Sequence, residues 1–271
     1  MDGYAEYWQW QFDSSPAYFQ KIFDMCDVVK HRAVLDIGCG IGGRTCFLAT
    51  LEPDKVLGID INEREIELAK ALALRKSGIE GTRQKICFDV VVEGGTKHAG
   101  SFDVVVLIDC LEHARDPATL LSAAHAFLRP GGICYFATMG WYHHRGAHIG
   151  DILPMPFVQL FFSDRVMLDA IRRILSAPYY VPNLWDSDPP VARWMGVSDL
   201  CDRPGESLNK ITVRGIKQIV NQSPFLKKKV AVTGFSWNTY RFLRCLNVLA
   251  AVPGIQEMYH SAVFGRLEKA R

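Results

Sequence analysis

The feature that most constrains the fold is an alternation between residues 33 and 138. Short apolar runs at 33–37, 55–60, 84–89, 102–108 and 131–138 are separated by helix-like stretches at 43–51, 62–76 and 117–128. A strand that is apolar on successive residues must be covered on both faces, and helices between strands supply that cover. The pattern predicts an α/β chain built on a parallel sheet. Asn62 with Glu65 three residues on reads as a capping box opening the second helix.

The flanks follow other rhythms. Residues 1–30 begin with Tyr4, Tyr7, Trp8, Trp10 and Phe12, and Ser15-Pro16 reads as a helix start. They are expected to form an N-terminal aromatic or helical cap on a core of residues 31–138. Residues 139–208, rich in Pro, Trp, Tyr and His, are expected to be an inserted lid or acceptor-binding region. Within them 163–176 predicts a helix capped by Ser163, with Val166, Ile171, Ile174 and Leu175 at helical spacing. Residues 209–271 would complete the sheet, with a helix near 211–221, a strand near 229–236, a helix near 239–251 and a last strand near 260–268. Lys227-Lys228-Lys229 reads as a solvated turn.

Composition narrows the class. The 271 residues carry a net charge of +2, with 49% hydrophobic and 22% charged residues. A dedicated nucleic-acid binder would show a basic excess. No apolar run approaches the roughly 18 residues of a membrane span, and the first residues lack a leader-like pattern. The eight cysteines form no CxxC pair. They are expected to be free thiols in a reducing, cytoplasmic setting, with Cys87 and Cys134 as small buried hydrophobes.

The strongest chemical signal is Val34-Leu35-Asp36-Ile37-Gly38-Cys39-Gly40-Ile41-Gly42-Gly43 between a strand and a helix. Glycines there permit a sharp turn and close backbone approach to a ligand. Gly38, Gly40 and Gly43 also satisfy the dinucleotide pattern, so the loop alone leaves NAD open. Asp60 ends the next strand, 24 residues after Asp36, where a carboxylate can accept both hydroxyls of a ribose. Asp36 at the loop mouth would repel a pyrophosphate but suits an ammonium group. Further on come Phe102-Asp103-Val104-Val105-Val106-Leu107-Ile108-Asp109-Cys110-Leu111-Glu112-His113 and Leu128-Arg129-Pro130-Gly131-Gly132.

Together these motifs resemble the class I S-adenosylmethionine-dependent methyltransferases, closest to the small-molecule branch that includes the ubiquinone-biosynthesis type. The resemblance covers about residues 30–138, and the tail from Gly254 to Lys269 is similar to the closing strand of such enzymes. It implies a Rossmann-like, seven-stranded, mostly parallel sheet with helices on both faces. It implies S-adenosylmethionine as cofactor and small-molecule biosynthesis as the role. By residue, it implies that Gly38, Gly40 and Gly42 wrap the methionine part and that Asp36 contacts its amino group. Asp60 would hold the ribose hydroxyls and Ile61 would pack on the adenine. Asp89 would receive the adenine amine, Val90 would donate its backbone N–H to the ring, and Asp109 would sit beside the sulfonium.

Transfer of a methyl group to a phenol, hydroxyl or carbon acid needs a base near the C-terminal edge of the sheet. His113 follows Asp109 by four residues, and His143, His144 and His148 follow strand five, with Asp151 as an orienter. These four histidines are the catalytic candidates. Three imidazoles within six residues are not expected in a core. No metal is assigned, a divalent ion on the His/Asp set being the alternative. The expected acceptor is a small aromatic or apolar metabolite. An NAD-dependent oxidoreductase and a non-catalytic cofactor-binding module are the other readings.

Overall fold

The computed structural model describes residues 2–75, 80–91, 98–149, 152–180, 208–235 and 241–271. Strands β1 (Ala33–Ile37), β2 (Lys55–Asp60), β3 (Ile86–Val90), β4 (Phe102–Ile108) and β5 (Leu128–Thr138) run parallel. With β6 (Lys227–Thr233) and β7 (Ala262–Glu268) they form one seven-stranded sheet in the order β3-β2-β1-β4-β5-β7-β6. β7 is antiparallel to both of its neighbours. The chain therefore works outward from β1 through β2 to β3 and then returns to lay β4 on the other side of β1. In open α/β sheets, ligands bind at such a reversal, beyond the carboxyl ends of the strands.

Side-chain alternation along the strands sorts the core into two layers. Leu35, Ile37, Val105, Leu107, Cys134 and Phe136 face α5 (Pro117–Phe127) and α8 (Val213–Gln222), meeting Leu121, Phe127, Ile216 and Val220. Val34, Val104, Val106, Ile133 and Tyr135 face the other way, against Phe19 of α1 (Asp2–Phe19), Met25 of α2 (Met25–Val28) and Phe47 of α3 (Gly43–Thr50). Helix α4 (Glu63–Arg75) buries Ile66, Ala69, Leu72 and Ala73. Its start is marked by Asn62, whose side chain accepts the Glu65 amide at 3.4 Å.

The N-terminal helix does not start at Pro16. It runs through it, from Asp2 to Phe19. Proline removes the donor for the Phe12 carbonyl, and Ser15 Oγ donates instead to Gln11 O one residue earlier, at 2.5 Å. Aromatic packing outweighs the break: Trp8 stacks on Phe12 with centroids 5.5 Å apart, and Phe12 meets Phe47 edge-on at 6.0 Å. Here tertiary burial overrides local propensity.

Other departures have similar causes. Arg241–Ala251 is a 3-10 helix, not an α-helix. Ala250 is buried there, Asn247 and Leu249 are half-buried, and Leu246 and Val248 are exposed. The Lys227–Lys229 run lies inside β6, not in a turn. Lysines on an edge strand discourage pairing with another chain. Lys227 pairs with Glu268 at 2.9 Å, and Lys229 sits over the Phe23 ring. Cys134 is fully buried, but Cys87 on the outer strand β3 is exposed. The seven described cysteines are free.

Beyond β5 the chain builds a small core of its own. Ala147, Ile149, Ile152, Val158, Met167, Ile171 and Leu208 cluster, with Trp141 and Tyr180 packed against them. This joins α6 (Val158–Phe161) to α7 (Asp164–Leu175). The inward face of α7 is Met167, Leu168 and Ile171, whereas Val166 points outward. Ser163 occupies the cap position without a side-chain hydrogen bond. Phe161, Phe162 and Tyr179 are exposed. Trp185 and Trp194 lie outside the described residues, as does Asp151. Among the described residues no helix is long and apolar enough to cross a membrane.

Candidate active site

The glycine loop bridges the end of β1 and the start of α3. Gly38, Gly40 and Gly42 have φ of 72°, 53° and 82°, a region that L-residues enter at a cost. Space is also short. A Cβ on Gly38 would lie 2.6 Å from Cys110 Sγ, and one on Gly42 would lie 2.7 Å from the Phe88 ring. The loop is thus clamped between the turn after β4 and strand β3. Gly38 N and Cys39 N both donate to Ile59 O, at 2.8 and 3.1 Å, which ties the loop to β2.

Asp60 closes this arrangement. One carboxylate oxygen accepts the Gly40 amide at 2.9 Å and the other accepts the Asn62 amide at 3.0 Å. Burial raises its carboxyl above the usual carboxylate range, while these backbone bonds oppose the rise. Each oxygen keeps a second lone pair, so the group can still accept from a diol. Asp36 is 3% exposed and accepts the Thr45 hydroxyl at 2.6 Å. Burial pushes it up to about 6, against the pull of Thr45 and Arg44.

Asp109 directly follows β4 in a left-handed conformation, φ 51°. Arg44 Nη2 lies 2.8 Å from one of its oxygens, and the Tyr18 hydroxyl donates to the other at 3.3 Å. The Arg44 guanidinium also lies 5.3 Å from the centre of the Tyr18 ring. Burial holds the Tyr18 phenol well above its ordinary value, with the Asp109 charge adding to the effect. Arg44 and Tyr18 are site residues that sequence reasoning missed. One signal was available: Arg44 is the only charged residue between Asp36 and Glu52. Tyr18 arrives from α1, and nothing in its own neighbourhood marks it.

The adenine-side candidates are more open. Ile61 and Val90 are exposed at the ends of β2 and β3. Val90 pairs in register with Asp60, and Asp89 lies 3.7 Å from His98 Nε2.

The structure divides the candidate histidines into two groups. His143 is buried, against the expectation that these rings would avoid a core. Its ring centroid lies 4.1 Å from His144 and 5.1 Å from His260, and its Nδ1 accepts the Arg145 amide at 3.2 Å. Burial lowers the His143 imidazole to about 3 and that of His260 to about 4. Burial lowers His144 as well, and the charge of Arg145 adds to it. These rings are neutral at physiological pH.

His148 belongs to the second group. Its ring lies 5.1 Å from that of His113, in an edge arrangement. One potential ligand atom from each of Glu112, His113 and His148 lies within 4.8 Å of the other two. Glu112 is buried, and its Oε2 accepts the Thr138 hydroxyl at 2.6 Å. Its Oε1 is buried with no hydrogen-bond partner among the described residues. Burial, and then the charge of Asp109, raise the Glu112 carboxyl well above its ordinary value. The turn Leu111–His113 is held from the far side of the insertion. Asn209 Nδ2 donates to Leu111 O at 2.6 Å and to Ala114 O at 2.8 Å, and its backbone N–H donates to Glu112 O at 2.9 Å. Thr138 and Asn209 were likewise missed by sequence reasoning.

S-adenosylmethionine presents a ribose diol and a zwitterionic amino acid, and the residues here fit it. A carboxylate with free lone pairs ends β2, a backbone loop clear of Cβ atoms follows β1, and two further acids stand beside it. A pyrophosphate would meet all three acids.

Comparison with known proteins agrees with this geometry. The family model described as methyltransferase domain matches residues 7–177. The ubiquinone biosynthesis O-methyltransferase of Bordetella avium is 32% identical over 125 residues, covering 46% of this chain and 50% of that protein. The chain thus spans about half the length of the curated relatives it matches. A crystal structure of geranyl diphosphate C-methyltransferase from Streptomyces coelicolor shares the fold at TM-score 0.55 and 14% identity, covering 94% of this chain and 76% of that one. An S-adenosylmethionine-dependent methyltransferase of Thermotoga maritima, described as a possible histamine N-methyltransferase, superposes at TM-score 0.52 and 13% identity, over 97% and 93% of the two chains. The sheet order, the loop and its acids, and a family match over more than half the chain lead to one conclusion: this chain belongs to the methyltransferase-domain family and has the class I S-adenosylmethionine-dependent fold.

Proposed function

We propose that this chain transfers a methyl group from S-adenosylmethionine to a small aromatic or apolar acceptor. The observation that carries the reading is the set of acids, buried Asp36 and half-buried Asp60 and Asp109, around a positive-φ glycine loop at the reversal of the sheet. The bound cofactor supplies a methyl carbon activated by positive sulfur. Asp60 receives the ribose hydroxyls, and Gly38, Gly40 and Gly42 border the methionine part. Asp36 answers the ammonium group, and Asp109 stands beside the sulfonium. Ile61 and Val90 border the adenine, with Asp89 receiving its amine.

The acceptor approaches from the His113–His148 side. There Glu112, His113 and His148 form the base set, an imidazole taking the acceptor proton with the buried carboxyl behind it. Such assistance is typically worth 10²–10⁴-fold. The described part of the insertion after β5, residues 139–149 and 152–180, is the cover that would keep water from the reacting carbon; residues 181–207 lie outside the described residues. A net charge of +2, and Asp109-Cys110-Leu111-Glu112 where adenine-amine enzymes carry an aromatic grip, favour a free metabolite over a flipped base.

Calorimetry tests the cofactor: S-adenosylhomocysteine should bind, NAD should not, and Asp60→Asn should weaken the homocysteine nucleoside by about 10- to 100-fold. The reverse preference would restore the oxidoreductase reading. Turnover with labelled methyl donor on phenol, amine and carboxylic acid panels then separates an enzyme from a binding module. A second reading of the base set is a divalent cation, favoured by the convergence of three ligand atoms. Activity that survives exhaustive chelation removes it.

A further inference from the structure

The chain that leaves β5 and the chain that enters β7 meet at a cluster of rings. The centroids of His143 and His260 lie 5.1 Å apart, His144 lies 4.1 Å from His143, and Phe235 stacks on His143 at 6.0 Å. Tyr259 meets Phe235 edge-on at 5.2 Å. His143 and His260 are both buried.

A neutral imidazole has one ring lone pair, and in both rings the backbone after β5 uses it. His260 Nε2 accepts the Gly140 amide at 3.1 Å, and His143 Nδ1 accepts the Arg145 amide at 3.2 Å. A second proton on either ring goes to that same nitrogen, so it breaks the bond. The other nitrogen of His143 is buried with no hydrogen-bond partner among the described residues, so that side offers a charged ring no compensating acceptor. The charged and titratable neighbours do not offset the loss. Burial comes first in keeping His143 neutral, and His144, His260 and Arg145 all add to it. Burial also keeps His260 neutral; the Gln256 backbone opposes it without reversing the direction. The nearby Glu257 carboxylate is taken by the Val213 and Arg214 amides, at 2.7 Å each.

The insertion is able to move as a body, because Ile149, Val158, Met167 and Ile171 give it a core of its own. Two other ties carry no titratable ring and would serve as its hinge. Trp141 N donates to Ile211 O at 2.7 Å, and Asn209 holds the Leu111 and Ala114 carbonyls.

We propose that His143 and His260 form an acid-release latch: proton uptake by either ring frees the chain from Gly140 onward, and residues 139–149 and 152–180 swing away from the edge of the sheet. The latch goes beyond the methyl-transfer reading and holds whatever the acceptor. Its sign follows from linkage. Rings that reach water regain the ordinary value of 6.5, so the open form gains about tenfold per ring for each pH unit below it, until the folded values of about 3 and about 4 are reached.

Amide hydrogen exchange at pH 7.5 and pH 5.0, corrected for the intrinsic rate, tests the latch. Peptides covering 139–149 should lose about 30-fold or more of their protection at pH 5.0, and at both pH values should stay at least about 10-fold less protected than 33–37 and 102–108. The double variant His143→Asn with His260→Gln keeps an acceptor for each amide and takes up no proton. In it the loss should shrink to within about 3-fold. Unchanged wild-type protection across the two pH values overturns the proposal. Equal protection of insertion and sheet overturns it too, since only global unfolding would then be present. Both readings need no variant, so poor folding of the double variant cannot shelter the latch. A loss that persists in the folded double variant also overturns it. No nucleoside enters the experiment, so a failed latch leaves the methyl-donor reading as it stands.

Discussion

Two groups of histidines gather beyond the ends of β4 and β5, and burial has had opposite consequences for them. His143 and His260 are buried against other rings, with the charge of Arg145 acting on His143 and the neighbouring His144 on both. Their rings are held neutral, well below the usual imidazole range. His113 and His148 instead share their surroundings with Glu112, a buried acid that burial makes reluctant to ionise. In the second group a carboxyl stands beside the rings; in the first the neighbours are other imidazoles and Arg145. The lesson is that chain proximity does not decide which imidazole can do acid–base work. The chemistry of the partner does.

The largest way to break this contrast is by kinetics. His113→Ala and His148→Ala should each lower kcat by about 10²–10⁴-fold, if each is needed to carry the acceptor proton. His143→Ala should leave kcat of the folded fraction within about 3-fold. Activity lost equally in all three variants would erase the distinction.

The next test is acid stability. His143 and His260 have folded values of about 3 and about 4 against an ordinary 6.5. A depressed imidazole contributes its stability fully above pH 6.5 and loses it as pH falls toward the folded value. From pH 8 to pH 5 the pair should therefore cost about 4 kcal/mol, at about 1.4 kcal/mol per unit for each ring below 6.5. Denaturant melts at the two pH values measure this, and His260→Gln should remove about half of the difference. A pH-independent melt would place the rings in water.

A smaller effect is expected at Asn209. Its side chain satisfies the carbonyls of Leu111 and Ala114, so Asn209→Ala should cost about 1–3 kcal/mol and loosen the Glu112–His113 turn. A rise in Tm would show that the clamp does not stabilise the fold. The smallest effect belongs to Thr138→Val, which removes one hydrogen bond to Glu112 at 2.6 Å. About 1 kcal/mol of stability should be lost, with a measurable change in the pH profile of kcat.

The legibility of these regions in the sequence follows from the distance over which each is assembled. Asp36, the glycines and Asp60 lie within 25 consecutive residues, and one strand-loop-helix-strand unit brings them together. The sheet was legible for the same reason, since β1 to β5 alternate with helices along the chain. The base set was only partly so. His113 could be named from its place after β4, but its support comes from Thr138, His148 and Asn209, on segments that sequence periodicity does not connect. His143 misled because a histidine's burial depends on neighbours such as His260, more than 100 residues away. Pro16 misled because its local signal was valid and the packing of Trp8 and Phe12 outweighed it.

The position of β7 bears on how the protein is made. This strand follows β6 in the chain but lies between β5 and β6 in the sheet, and its Gly265 sits so close to Phe136 that even a methyl group there would collide with the ring. While a ribosome is still extending the chain past β6, that lysine-rich ribbon has no place to dock. Nascent protein must carry an open β5 edge until Ala262–Glu268 clears the exit tunnel, and only then can Val263, Phe264 and Leu267 close both layers together. For that interval the growing chain depends on its helices, or on a chaperone, to keep the edge from finding a stranger.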